Sequence, residues 1–194
     1  VYEGLSKSMI LKRRAMLGFE PNDDKHISVL NRLLSITNVN GEECLTYEPD
    51  PRHAEILVSQ TGLTGERAKA VKTPGEKKAE YYDQRELEGP HAKRYRSATM
   101  RFSYLAQDLP QCQYTAHKVA KHMSTPIQGG WNRLKRAARF LAGSPRWVQR
   151  FVVQEKVTTL KVNTDSDWAA DLIDRKSVSC VICRIGKHMI RSSV

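Results

Sequence analysis

Arg94-Tyr95-Arg96-Ser97-Ala98-Thr99-Met100-Arg101-Phe102-Ser103-Tyr104-Leu105-Ala106-Gln107 is the stretch on which the reading of this chain turns. Ala98, Phe102 and Leu105 recur at helical spacing, and Asp108-Leu109-Pro110 closes the run. Arg94, Arg96 and Arg101 set cations around the same helix. They belong to a block, residues 91–150, that holds twelve Lys/Arg against one acid, Asp108, a local charge of +11 that equals the net charge of the whole 194-residue chain. Taking these from the chain's 32 basic and 21 acidic residues leaves 20 of each elsewhere, so the excess sits in one place. Charge confined to one helical block makes a local field that draws a polyanion, with phosphate the obvious partner. A merely solvated helical surface is the bland alternative.

Two more helices follow from the same periodicity. Ala116, Val119, Ala120 and Met123 mark one face, ended by Ser124-Thr125-Pro126, and Trp131, Leu134, Ala138 and Leu141 mark another, stopped at Gly143-Ser144-Pro145. Arg133, Arg136 and Arg139 fall three apart on a different side of that last helix, which predicts guanidiniums offered outward while the apolar stripe docks on a core. The candidate nucleic-acid-binding residues are therefore Lys93, Arg94, Arg96, Arg101, Arg133, Lys135, Arg136 and Arg139. Tyr95, Tyr104, Tyr114 and Trp131 interleave with them, and their helical spacing favours the core over base stacking.

Upstream of the block, a strand is expected over residues 8–16, ended by Gly18 and the turn Pro21-Asn22-Asp23-Asp24. Residues 27–37 fit both helical and strand periods, but Asn38-Val39-Asn40-Gly41 favours a hairpin returning through residues 43–47. Asp50 then caps a helix with Pro51 at its first position and Gly62 near its end. Residues 69–73 suggest a short strand, and 74–90, rich in Pro, Gly, Lys and Glu, read as a linker between subdomains. Downstream, residues 147–153 and 158–165 read as strands, Asp165 ending the second on the side of Lys161 and Asn163. Residues 177–185 and 187–192, split by Gly186, make a closing hairpin, and a three-stranded half-sheet of this kind is marginal alone.

A chain of 194 residues suffices for one large or two small domains. Nothing approaches 18 apolar residues in a row, so no membrane partner is expected. The start, Val1-Tyr2-Glu3-Gly4, lacks an initiator methionine and a signal-peptide pattern and reads as the middle of something longer. Four scattered cysteines suit a reducing, intracellular compartment. Cys180 and Cys183 have zinc-like spacing, but on a strand they face opposite sides and no second pair exists. His117 and His122 read as surface residues, and Asp23-Asp24 as a solvated turn.

In order, Tyr95-Arg96-Ser97, Tyr104-Leu105-Ala106, Met123-Ser124-Thr125-Pro126, Lys135-Arg136-Ala137-Ala138-Arg139-Phe140-Leu141 and Asp165-Ser166-Asp167-Trp168-Ala169 make a set. With these motifs the chain resembles the Pol polyprotein of copia-type long-terminal-repeat retrotransposons, from the late reverse transcriptase into the start of RNase H. The resemblance covers nearly the whole chain. It departs at Leu109-Pro110-Gln111-Cys112, at Ser177-Val178-Ser179-Cys180, where the family carries a glycine, and at Arg191-Ser192-Ser193-Val194.

The resemblance implies an α+β fold in three parts: residues 1–75 as the end of the reverse transcriptase, 76–150 as a linker and basic helical connection, and 151–194 as an incomplete RNase H-like mixed sheet. It implies a parent RNA-directed DNA polymerase with RNase H, acting in a cytoplasmic particle or the nucleus, and a fragment that binds template-primer or RNA/DNA hybrid alongside the rest of the polyprotein. Both parent activities use paired Mg²⁺ ions held by several carboxylates. Asp165 would be the first RNase H carboxylate and a Mg ligand, while the polymerase aspartates lie upstream and the remaining RNase H ligands after the third strand. The fragment is thus expected to be catalytically incomplete, with a stand-alone nucleic-acid-binding remnant or a decayed reading frame as alternatives.

Overall fold

The computed structural model describes residues 2–12, 14–63, 69–76, 79–169, 171 and 174–194. They form an α+β fold of two antiparallel sheets and five helices: α1 (Tyr2–Leu5), β1 (His26–Val29), β2 (Arg32–Val39), β3 (Glu42–Glu48), α2 (Arg52–Gln60), α3 (Gly89–Ala106), α4 (Gln113–Ala120), α5 (Gln128–Gly143), β4 (Gln149–Val152), β5 (Leu160–Ser166), β6 (Ser179–Ile185) and β7 (His188–Ser193).

The core is helical. Leu57 and Leu63 from and after α2, Tyr95, Ala98, Phe102 and Leu105 of α3, Val119 of α4, and Leu134, Ala138 and Leu141 of α5 form one buried cluster. All three apolar stripes read from the sequence therefore face the same centre. Tyr95 is wholly buried, and its hydroxyl donates to Val119 O at 2.6 Å, so the polar end of the ring is satisfied inside. Cys112, just before α4, is also fully buried, and burial pushes its thiol up to about 12.

The first sheet runs β1-β2-β3-β4. Asn40 and Gly41 turn β2 into β3 with φ of 57° and 86°, as the Asn-Gly signal predicts. The expected single strand over 27–37 is instead two, because Leu30 and Asn31, φ 51° and 61°, make a second turn of the same kind. Leucine is poor at positive φ, and Asn31, which tolerates it, has no glycine beside it to mark the turn. No strand forms over 8–16: the described residues there are irregular, and the nearest pairing is an isolated bridge from Leu17 to Asp24. The Asp23-Asp24 turn is tied locally, Asp24 Oδ2 accepting from Met16 N and Asp23 Oδ2 from Glu20 N.

The helix after β3 starts as predicted. Pro51 already has helical dihedrals, and Asp50 Oδ1 accepts from Arg52 N at 3.1 Å, with Gly62 at φ 71° just past the end. The short strand expected over 69–73 is absent. The 74–90 linker is, in its described part, bonded to the core rather than free. Leu87 N donates to Pro126 O, Gln128 N to Arg85 O and Gly129 N to Asp83 O, and Tyr81 is buried. A side chain on Gly129 would put its Cβ 2.4 Å from Tyr81 O, so this glycine permits the close approach.

The strand expected over 147–153 forms as β4, but it pairs antiparallel with β3 and so runs in the first sheet. The second sheet, β5-β6-β7, is wholly antiparallel rather than mixed, because each strand returns directly beside its predecessor, the last through Gly186 at φ 58°. Every residue of β5 is exposed. This sheet is docked by polar contacts: Gln154 bonds Ile185 O and Lys187 N, and Gln113 Nε2 donates to Ser192 O. Phe151 meets His188 edge-on, ring centres 5.5 Å apart.

Candidate nucleic-acid interface

α3 turns Tyr95, Ala98, Phe102 and Leu105 inward, which leaves Lys93, Arg94 and Arg96 on its exposed side. Lys93 and Arg94 make no ion pair among the described residues. The Arg96 guanidinium reaches Met123 O at 2.8 Å and Ser124 O at 3.0 Å, closing the turn that follows α4. Arg101 is half-buried, and its Nε has no partner among the described residues.

The α5 cations are placed differently from their expected outward stripe. Arg133, Lys135, Arg136 and Arg139 are all half-buried, and residues of the segment preceding α3 cover Arg133 and Arg136. Arg136 Nη1 pairs with Glu76 Oε1 at 2.5 Å and its Nη2 bonds Thr73 Oγ1, while Arg133 lies 5.0 Å over the Tyr81 ring and 5.5 Å over Tyr82. Of the eight candidates, Lys93, Arg94 and Arg96 thus lie on an open face of α3, while Arg101 and the four of α5 are half-buried.

Much of the remaining positive charge is compensated by acids distant in sequence. Lys118 of α4 and Lys121 just past its end reach Asp171 Oδ2 at 3.2 and 2.9 Å, and Lys121 reaches Asp174 Oδ2 at 2.9 Å. The Lys121 hydrogen bond, working against burial, holds the Asp174 carboxyl below its ordinary range. Nearby His122 is pushed down, first by burial and then by Lys121 and Arg133. Arg146 pairs bidentately with Glu48 and lowers its pKa. These acids, Glu48, Glu76, Asp171 and Asp174, were not legible as partners, since no local pattern links residues 50 or more positions apart.

Asp165 sits in β5 opposite Cys180, exposed to solvent. Among the described residues, no three His, Cys, Asp or Glu side chains gather as a metal site. Asp167 is engaged locally, its Oδ1 accepting from Val178 N at 2.5 Å, and Asp171 and Asp174 face α4. The described carboxylates do not fit a pair of Mg²⁺ ions, so no catalytic step follows from them. Cys180 and Cys183 are unbridged, and Trp168 is 93% exposed.

Two Arabidopsis thaliana proteins are similar to the chain. One, a retrovirus-related Pol polyprotein from transposon RE1, is 31% identical over 141 residues, 72% of this chain. The other, a retrovirus-related Pol polyprotein from transposon RE2, is 33% identical over 103 residues, 52% of this chain. The chain is a relative of copia-type retrotransposon Pol polyproteins. The matches span only 9% of the length of the RE1 protein and 7% of that of the RE2 protein, which makes the chain similar to one segment of a much longer polyprotein. No family model matches the chain, and neither does any solved structure. No described helix is long and apolar enough to cross a membrane.

Proposed function

We propose that this fragment of a retrotransposon Pol polyprotein comes from the reverse transcriptase to RNase H region and binds RNA/DNA hybrid or template-primer, without a complete active site of its own. In this reading residues 1–75 end the reverse transcriptase, 76–150 connect, and 151–194 begin an RNase H-like domain, with β4 contributed back to the first sheet. The parent would use Mg²⁺, act with the remainder of the polyprotein and work inside the cell. The observation that carries the binding function is the positive charge on the exposed side of α3, at Lys93 and Arg94, which meets no acid among the described residues, beside Arg96. Arg101, Arg133, Lys135 and Arg139, each half-buried, add to the local field, while the charge of Arg136 is met by Glu76.

Fluorescence anisotropy with a labelled RNA–DNA hybrid tests it. Neutralising about four phosphates predicts roughly a hundredfold loss of affinity as salt rises from about 50 to about 200 mM. Affinity that stays flat over that range would overturn the proposal.

A further inference from the structure

A cleft of about 280 Å³ opens between the 74–76 segment and α4, with Gly75, Glu76, Gln111, Tyr114, Arg133 and Asp171 in its lining. We infer that it seats one nucleotide, the planar base against Tyr114 and the phosphate at Arg133. This rests on the nucleic-acid reading above and gives it a specific contact.

The charges in the cleft are unequal in availability. Glu76 pairs with Arg136, and Asp171 pairs with Lys118 and Lys121. Arg133 has no carboxylate partner among the described residues and rests on the faces of Tyr81 and Tyr82, which hold its guanidinium at the cleft while leaving its donors for an anion. Tyr114 is 46% exposed, with Lys118 Nζ 5.4 Å from its ring centre. An aromatic face, a neighbouring cation and the amide of Gln111 offer stacking, charge and polar contact to a single base and its phosphate. The cleft is built rather than incidental. A Cβ on Gly75 would lie 2.6 Å from Thr115 Oγ1, so a larger residue there would have to displace that hydroxyl. Its volume lies near the lower end of small-molecule sites, roughly 300 Å³ and above, which suits one nucleotide and excludes a duplex.

The same chemistry is presented by a free nucleotide and by an unpaired nucleotide at a strand end, and two probes separate them. Adenosine 5′-monophosphate is titrated into the full chain and followed by amide NMR. Saturable shifts at Gly75, Gln111 and Thr115 that disappear in Tyr114→Ala support the site. No shifts at millimolar nucleotide, or shifts reproduced in full by inorganic phosphate, overturn it. Anisotropy then compares a blunt hybrid with one carrying a single unpaired nucleotide. Roughly tenfold tighter binding of the overhang, abolished by Tyr114→Ala with blunt binding unchanged, assigns the site to strand ends; equal binding of the two with nucleotide shifts present assigns it to free nucleotide. If the nucleotide binds and the blunt hybrid does not, the hybrid-binding function fails while the cleft stands.

Discussion

Arg32, the first residue of β2, and Asp108, the lone acid of the cationic block, lie 2.9 Å apart from Nη2 to Oδ2, with their side chains only 16% and 11% exposed. The Tyr47 hydroxyl donates to the other carboxylate oxygen at 2.5 Å, and Arg32 also reaches the Tyr104 hydroxyl at 3.0 Å. Burial and the Asp108 bond push the Tyr47 phenol up to about 12. This polar cluster fastens the first sheet to the end of α3, beside Leu105, Ala106 and Leu109 of the buried apolar cluster.

Asp108→Ala leaves Arg32 half-buried without its counter-ion, and the expected loss of stability is about 3 kcal/mol. Urea unfolding measures it. A loss below about 0.5 kcal/mol would mean that water replaces the carboxylate without penalty.

Leu30 is 76% exposed at φ 51°, so its side chain gains little from packing while its backbone is strained. Leu30→Gly is expected to stabilise the protein by about 0.5–1 kcal/mol, part of the relief being offset by glycine's greater freedom when unfolded. A lower melting temperature for the variant would show that the leucine packs usefully after all.

Gly129→Ala places a methyl group against Tyr81 O, and the expected cost of that overpacking is about 1–3 kcal/mol. Thermal melting should register it, together with faster exchange of the Leu87 and Gly129 amides. Unchanged melting would mean that the 79–83 segment moves aside freely.

The ion pairs of Lys118 and Lys121 with Asp171 and Asp174 should hold only within a pH window. Asp174 is lowered by its Lys121 bond, so its contribution is present above its ordinary value of 3.8 and is lost as pH falls through the lower folded value. Lys121 is raised by Asp174 and Asp171 against the opposing effect of burial, so its contribution is full below its ordinary 10.5 and is lost as pH rises through the folded value. Lys121→Met at pH 7 should speed tryptic cleavage at Arg175 and Lys176 several-fold. Cleavage no faster than in the parent protein would count against these pairs as the latch.

Removing Lys93 and Arg94 together should lower the salt slope of hybrid binding by about 2, roughly one for each lost phosphate contact. Arg146→Ala, whose guanidinium is committed to Glu48, should leave the slope nearly unchanged. Equal effects from both variants would point to net charge rather than to the α3 face.

Local signals carried much of the fold. The apolar stripes of α3, α4 and α5, the Asn40-Gly41 turn, the Asp50-Pro51 helix start and the Gly186 hairpin are each written within a few residues, and each forms. Leu30-Asn31 was illegible because its turn opposes the leucine's own preference and is enforced by the pairing of β1 with β2. The partner of β4 was illegible too, since a short strand specifies its alternation but not the edge it joins.

By itself the sequence determined the α+β character, the cationic concentration in residues 91–150 and the kinship to retrotransposon Pol polyproteins, because periodicity, net charge and motif order are properties of the chain read in line. Only the tertiary structure decided which cations remain available. Arg136, Lys118, Lys121 and Arg146 meet acids 50 to 98 positions away, while Lys93 and Arg94 meet none among the described residues. Coulomb attraction depends on distance in space, and that distance exists only once the helices have packed.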